Sequence, residues 1–146
     1  MADERELLEI IAGNSQGILA AVKREGYPHL TNVLYLWDAQ ERVARVSTTA
    51  DRVKGRILQR DPPAALHVSG PHFWSYAVAE CDAETSDVAT TPGDAASREL
   101  LQVHSAFSAG VDEDALFRRL IEERRLVVRL RVRRLYGVAM ASPPAG

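Results

Sequence analysis

Near the carboxy end of the chain, Val128, Leu130 and Val132 alternate with Arg129, Arg131 and Arg133. A helix scatters residues spaced by two around its circumference, whereas a strand sends them all to one face of the pleat. The segment therefore reads as a strand with one apolar and one charged face, ending near Met140. Other runs tell the same story. Residues 17–22 are too short and too apolar for a surface helix, and Gly26-Tyr27-Pro28 supplies a turn before a second strand over 29–37. The polar turn Asp38-Ala39-Gln40-Glu41 leads to a third strand over 42–48. Residues 64–69 and 73–83, parted by Gly70-Pro71, read as the fourth and fifth.

Helical spacing is confined to the gaps. Leu7, Leu8, Ile10 and Ile11 predict an opening helix with Asp3 as its cap and Gly13-Asn14 as its stop. Val53, Ile57 and Leu58 predict a short basic helix over 51–60, closed by Asp61-Pro62-Pro63. Residues 94–107 and 112–123 are helical in composition, after a polar loop over 85–93. Six strands that mostly follow one another favour a mainly β chain with helices (α+β), its sheet antiparallel and barrel-like rather than doubly wound. At 146 residues the chain is expected to form a single domain, 1–146, and the tail from Ser142 has no apolar anchor.

Composition narrows the function classes. Hydrophobic residues at 46% and charged residues at 26% suit burial around an ordinary core. With 18 Lys and Arg against 20 Asp and Glu, the net charge of -2 favours neither nucleic acid nor an anionic membrane, so any anion site must be local. Cys81 is the sole cysteine, which rules out an intrachain disulfide and suits a reducing cytoplasm. The acidic start and the lack of a run of about 20 apolar residues predict neither signal peptide nor membrane span. The four histidines are scattered without metal-ligand spacing, so no metal site is expected. Cys81 sits between Glu80 and Asp82, which raises a thiol pKa, and Ser105 and Ser108 after His104 lack the frame of a nucleophilic serine. Alternation of the late arginines suits a solvated or interface-paired face better than an RNA surface.

The most informative stretch is Ser47-Thr48-Thr49-Ala50-Asp51-Arg52-Val53-Lys54. It sets hydroxyls and backbone amides at a strand-to-helix junction, where unpaired N–H groups and the helix dipole favour an anion. Arg52 and Lys54 add positive charge at the same end, suited to a phosphate. A second reading of the same residues makes Thr49 or Asp51 a helix cap and the two cations a solvated face.

In chain order, the opening helix, Gly17-Ile18-Leu19-Ala20, Gly26-Tyr27-Pro28-His29-Leu30-Thr31-Asn32-Val33, Ser47 to Lys54 and Asp61-Pro62 resemble the pyridoxamine-phosphate-oxidase-like split barrels. The likeness is greatest to their deazaflavin branch, which uses coenzyme F420, and it spans residues 7–137. It implies a six-stranded antiparallel split barrel, a homodimer, and a cofactor in each of two interface clefts. By that resemblance Ser47, Thr48, Thr49, Arg52 and Lys54 hold the cofactor's phosphate and acidic tail, and Asn32 lies by the ring system. Trp74 and Tyr76 match aromatic positions near the pocket, although their i, i+2 spacing equally suits one buried face of a strand. The carboxy end, Leu135 to Met140, departs from the Arg-Leu-Ser-Pro type ending of the vitamin-processing oxidases, which makes pyridoxamine phosphate a poor substrate.

The implied activity is hydride transfer between reduced deazaflavin and a small unsaturated or conjugated molecule. The cofactor carries that chemistry, so the absence of a visible catalytic dyad is expected and no catalytic residue is assigned. Two rivals keep the fold: an oxidoreductase using FMN, and a binding protein that holds a flavin or deazaflavin without turnover.

Overall fold

The computed structural model describes residues 2–52 and 62–140. Helix α1 (Glu4–Ala12) opens the chain and is capped as expected. The Asp3 side chain accepts from the Glu6 N–H at 2.9 Å, and the Glu6 side chain returns to the Asp3 N–H, a reciprocal capping box. Seven strands follow: β1 (Gln16–Val22), β2 (Pro28–Leu34), β3 (Leu36–Asp38), β4 (Val43–Thr49), β5 (Pro63–Ser69), β6 (Tyr76–Thr85) and β7 (Arg125–Val138). Between β6 and β7 lie α2 (Ala95–Ser105) and α3 (Glu113–Glu122), each capped by an aspartate, Asp94 and Asp112. The basic helix expected over 51–60 lies outside the described residues apart from Asp51 and Arg52.

All pairings are antiparallel, in the order β2-β1-β5-β6-β7-β4-β3. The two edge strands, β2 and β3, are consecutive in sequence and separated by Tyr35 alone. This single residue explains why seven strands appear where six were expected. The segment predicted as one strand over 29–37 bends at Tyr35, pairs with β1 before the bend and with β4 after it, and so links the two edges of the curled sheet. Tyr35 is 1% exposed; its hydroxyl donates to the Ile11 carbonyl at 2.6 Å, and its N–H donates to the Ser15 carbonyl at 2.8 Å.

The inner face of the sheet forms the main core. Leu19, Val33, Val46, Leu66, Val68, Leu126, Val128 and Leu130 meet there with Leu7, Ile10 and Ile11 of α1. Gly137 (φ +149°) is required where β7 passes β6, because a Cβ there would collide with the Tyr76 carbonyl. A second core lies on the outer face of β7, where Val127 packs with Leu100 of α2 and Leu116, Phe117 and Leu120 of α3. Between α2 and the sheet, Glu99 binds Arg45 at 2.9 Å and Arg129 at 2.6 Å. Burial opposes its ionisation, but hydrogen bonds from Arg129 and Arg45 outweigh that and hold its carboxyl below the usual glutamate range.

The arginine row of β7 faces an acidic row on β6. Arg129 reaches Glu84 at 2.8 Å, Arg133 reaches Asp82 at 3.1 Å, and Arg134 lies 3.8 Å from Glu80. A bulge at Glu80/Cys81 gives β7 one extra residue, Arg133, and shifts the alternation there. The row is thus ion-paired across the ladder. The strand expected over 73–83 begins at Tyr76, which leaves Trp74 in the preceding turn. No helix among the described residues is long and apolar enough to cross a membrane.

Candidate functional site

Along β4 the side chains alternate across the sheet, so Ser47 and Thr49 share the outer face while Thr48 turns inward. Thr48 is 1% exposed, and its hydroxyl has no hydrogen-bond partner among the described residues. The three hydroxyls grouped by sequence are therefore split two and one. Thr49 lies beside Asp51, and its hydroxyl holds that carboxyl below the usual aspartate range. Arg52 is exposed, with its backbone N–H on the Thr49 carbonyl at 3.2 Å. Lys54 lies outside the described residues.

The end of β4 is tied to the start of β7. Ala50 N–H donates to the Arg124 carbonyl at 2.9 Å, and Arg124 takes a left-handed φ of 54° to turn the chain out of α3. Thr49 then faces Arg125 across the ladder. From that position Arg125 Nη1 donates to Ser47 Oγ at 3.1 Å, while its Nε donates to Glu123 Oε1 at 2.6 Å. The last turn of α2 brings His104 to the same hydroxyl, with Nε2 2.9 Å from Ser47 Oγ.

Burial lowers the His104 pKa, the charges of Arg125 and Arg119 lower it further, and Glu123 offsets part of this. These surroundings favour the neutral imidazole. Since Ser47 Oγ already accepts from Arg125, its own proton is available to an unprotonated Nε2. Once protonated, His104 would instead donate to the serine.

These groups line a cleft of about 410 Å³ together with Asn32, Leu34, Val103 and Phe107. A second cleft, of about 570 Å³, lies on the other side of β2 and is lined by Asn14, Gln16, Ile18, His67 and Ser69. Asn32, Val33 and Leu34 border both. The structure thus brings together Asn32 and Ser47, and adds His104, Arg125 and Phe107, which sequence reasoning did not select. No local signal could have selected them: Ser47 is 57 residues from His104 and 78 from Arg125.

The two aromatic candidates part company. Tyr76 stacks on His67 at a centroid separation of 5.4 Å, on the same sheet face as Asn32. Trp74 is 52% exposed in the turn before β6, where it meets Phe73 edge-on at 4.9 Å. That turn is pinned to the end of β7: Ser75 Oγ donates to the Val138 carbonyl at 3.2 Å, and His72 Nε2 lies 3.0 Å from the Met140 carbonyl. The buried-face alternative for Trp74 is excluded by its exposure. Cys81 is buried, and burial together with Asp82 and Glu80 pushes its thiol up to about 12, so it is inert as a nucleophile.

No family model matches the chain. Among solved structures, the conserved hypothetical protein Rv2991 from Mycobacterium tuberculosis superposes with a TM-score of 0.70 at 21% identity, covering 92% of this chain and 83% of that one. A protein named F420 reductase gives 0.66 at 21% identity, over 88% and 94% of the two chains. A protein named as a candidate pyridoxamine 5'-phosphate oxidase from Listeria innocua gives 0.66 at 13% identity, over 91% and 95%. The same set of similar folds includes proteins named for FAD binding and for heme storage. At these identities the likeness is one of fold: a mainly β chain with helices and a curled antiparallel sheet.

Proposed function

We propose that the protein binds a flavin-type cofactor between β2 and β4 and uses it as an oxidoreductase, with coenzyme F420 as the carrier. The substrate class is a small unsaturated or conjugated molecule. The observation that carries this reading is the convergence on one cleft of Asn32, from the edge strand β2, and Ser47, from β4 next to the opposite edge. The cleft is of a size that suits a ligand site and is chemically divided. Leu34, Val103 and Phe107 offer apolar surface for a ring, Asn32 offers an amide to its polar edge, and Ser47 and Arg125 offer donors to an anionic group.

When bound, the deazaflavin supplies hydride transfer. The chain's own residues bind and orient: in this reading Arg52 and Lys54 add charge for the anionic end of the ligand, Thr49 stands at the strand end, and Phe107 excludes water from one wall. Thr48 supports this arrangement from inside the barrel rather than touching the ligand. FMN would use the same donors for its phosphate and is the alternative cofactor.

The functional unit in this proposal is a homodimer. Ile18, Val22, Leu30, Leu34 and Tyr136 are 39–63% exposed and lie on one outer face of β2, β1 and β7, continuous with Asn32 and Tyr76. Such a patch is expensive to leave in water, and a second copy would cover it together with the cleft of about 570 Å³.

Titration of the purified protein with F420, FMN and riboflavin, followed by ligand fluorescence and visible absorbance, tests the reading. Saturable binding of F420, with substrate reduction by the reduced form, is the expected result. Binding of FMN alone would move the assignment to the flavin, and binding of none of the three would remove it.

A further inference from the structure

The cleft draws basic groups from outside β4. Arg125 comes from β7 and His104 from α2, and both converge on Ser47 Oγ. Arg125 is held by two hydrogen bonds, one from Nε to Glu123 and one from Nη1 to Ser47, while its Nη2 has no partner among the described residues. A guanidinium fixed in this way presents its remaining N–H groups without further loss of side-chain entropy.

Among the described residues, few charges surround the His104 ring. Arg125 faces it from β7, Arg119 from the last turn of α3, and Glu123 from the residue after α3, while β4 contributes only the Ser47 hydroxyl and β2 only neutral groups. Glu123 is engaged by Arg125 at 2.6 Å, so among the described residues this wall has no spare anion. An arriving oxyanion would find a guanidinium, a hydroxyl and an imidazole that gains a second positive charge as the anion binds.

We infer that Ser47, His104 and Arg125 form an oxyanion subsite for a phosphate group, in which His104 takes up a proton when the anion binds. The subsite deepens the proposed cofactor cleft, on which it rests, by placing the phosphate against β4, β7 and α2. It makes a linked prediction: an anion that favours imidazolium must raise the His104 pKa, and protonation must tighten the anion by the same factor.

The first experiment needs no cofactor. The His104 ring is titrated by NMR in sodium sulfate and in sodium chloride at matched ionic strength, sulfate being a dianion throughout the range. Sulfate should raise the His104 pKa in the wild type and leave it unmoved in Arg125→Gln. An equal pKa in the two salts overturns the inference. The second experiment compares FMN with riboflavin, which has the same ring and no phosphate. The preference for FMN should fall about tenfold or more in Arg125→Gln and several-fold in His104→Gln, with riboflavin affinity unchanged.

Circular dichroism of both variants checks that they fold, and Ser47→Ala, which removes one hydroxyl, serves as the third variant. Flavin binding with an FMN preference indifferent to all three substitutions would retain the cofactor reading and reject the subsite. A sulfate shift that depends on Arg125 in a protein that binds no flavin would retain the subsite and reject the cofactor reading.

Discussion

The Tyr35 hydroxyl donates to the Ile11 carbonyl at 2.6 Å, which ties the bend between the two edge strands to the end of α1. The phenol is buried, and burial pushes its pKa well above the ordinary tyrosine value. Tyr35→Phe keeps the packing and removes the bond. Because the Ile11 carbonyl retains the Asn14 N–H at 3.3 Å, the loss should be about 1 kcal/mol in urea unfolding. Tyr35→Ala also empties the bend and should cost about 3–5 kcal/mol.

Glu99 bridges Arg45 and Arg129 with a side chain only 14% exposed. Glu99→Gln would leave two guanidinium groups short of their anion and should cost about 1–3 kcal/mol. The pH dependence has a definite sign. A carboxyl held below its unfolded value contributes stability at pH above that value and loses it as pH falls through the folded value. The gap between wild type and variant should therefore narrow in acid. A gap in unfolding free energy that stays constant from neutral pH into the acid range would exclude this ion-pair account.

His104 follows the opposite logic, because its neutral form is the one the fold favours. Above the unfolded histidine value both states are neutral. As pH falls below it, the unfolded chain takes up the proton first and stability drops. Melting temperatures of wild type and His104→Gln should diverge between neutral and mildly acidic pH, with the wild type losing more.

Leu30 is 63% exposed beside Ile18, at 39%, on the bare face of the sheet. If a second copy covers this face, sedimentation should give about twice the 16.1 kDa chain mass. Leu30→Glu should shift the protein to monomer with its fold intact, since no inner-face contact is lost. A monomeric wild type at high concentration would remove the dimer.

Arg52→Ala and Trp74→Ala both act on exposed side chains. Each should change stability by less than about 0.5 kcal/mol. Loss of Arg52 or of Lys54 should weaken cofactor binding by about 1.5–3 kcal/mol, with Arg52→Lys restoring only part. Trp74→Ala should alter cofactor affinity or fluorescence alone. Titrations in which all variants match the wild type would take these residues out of the site.

The sequence by itself determined where most of the described elements lie, because their causes are local. Alternation in β7 marks a strand whatever surrounds it, the Asp3 to Glu6 capping box starts α1 with contacts three residues apart, and Gly70-Pro71 forces a break between β5 and β6. Hydroxyls and cations at the end of β4 were likewise legible as a candidate anion segment. Tertiary structure alone decided which of them share a cleft. Thr48 turned inward because β4 is buried on that face, Trp74 fell outside β6 because the turn runs to Ser75, and Tyr35 split one predicted strand because the sheet curls until its two edges are joined by one residue. His104 and Arg125 meet Ser47 only when α2 packs on the sheet and β7 pairs with β4. Contacts between residues 57 and 78 positions apart leave no periodicity in the chain, so packing, not sequence pattern, places them.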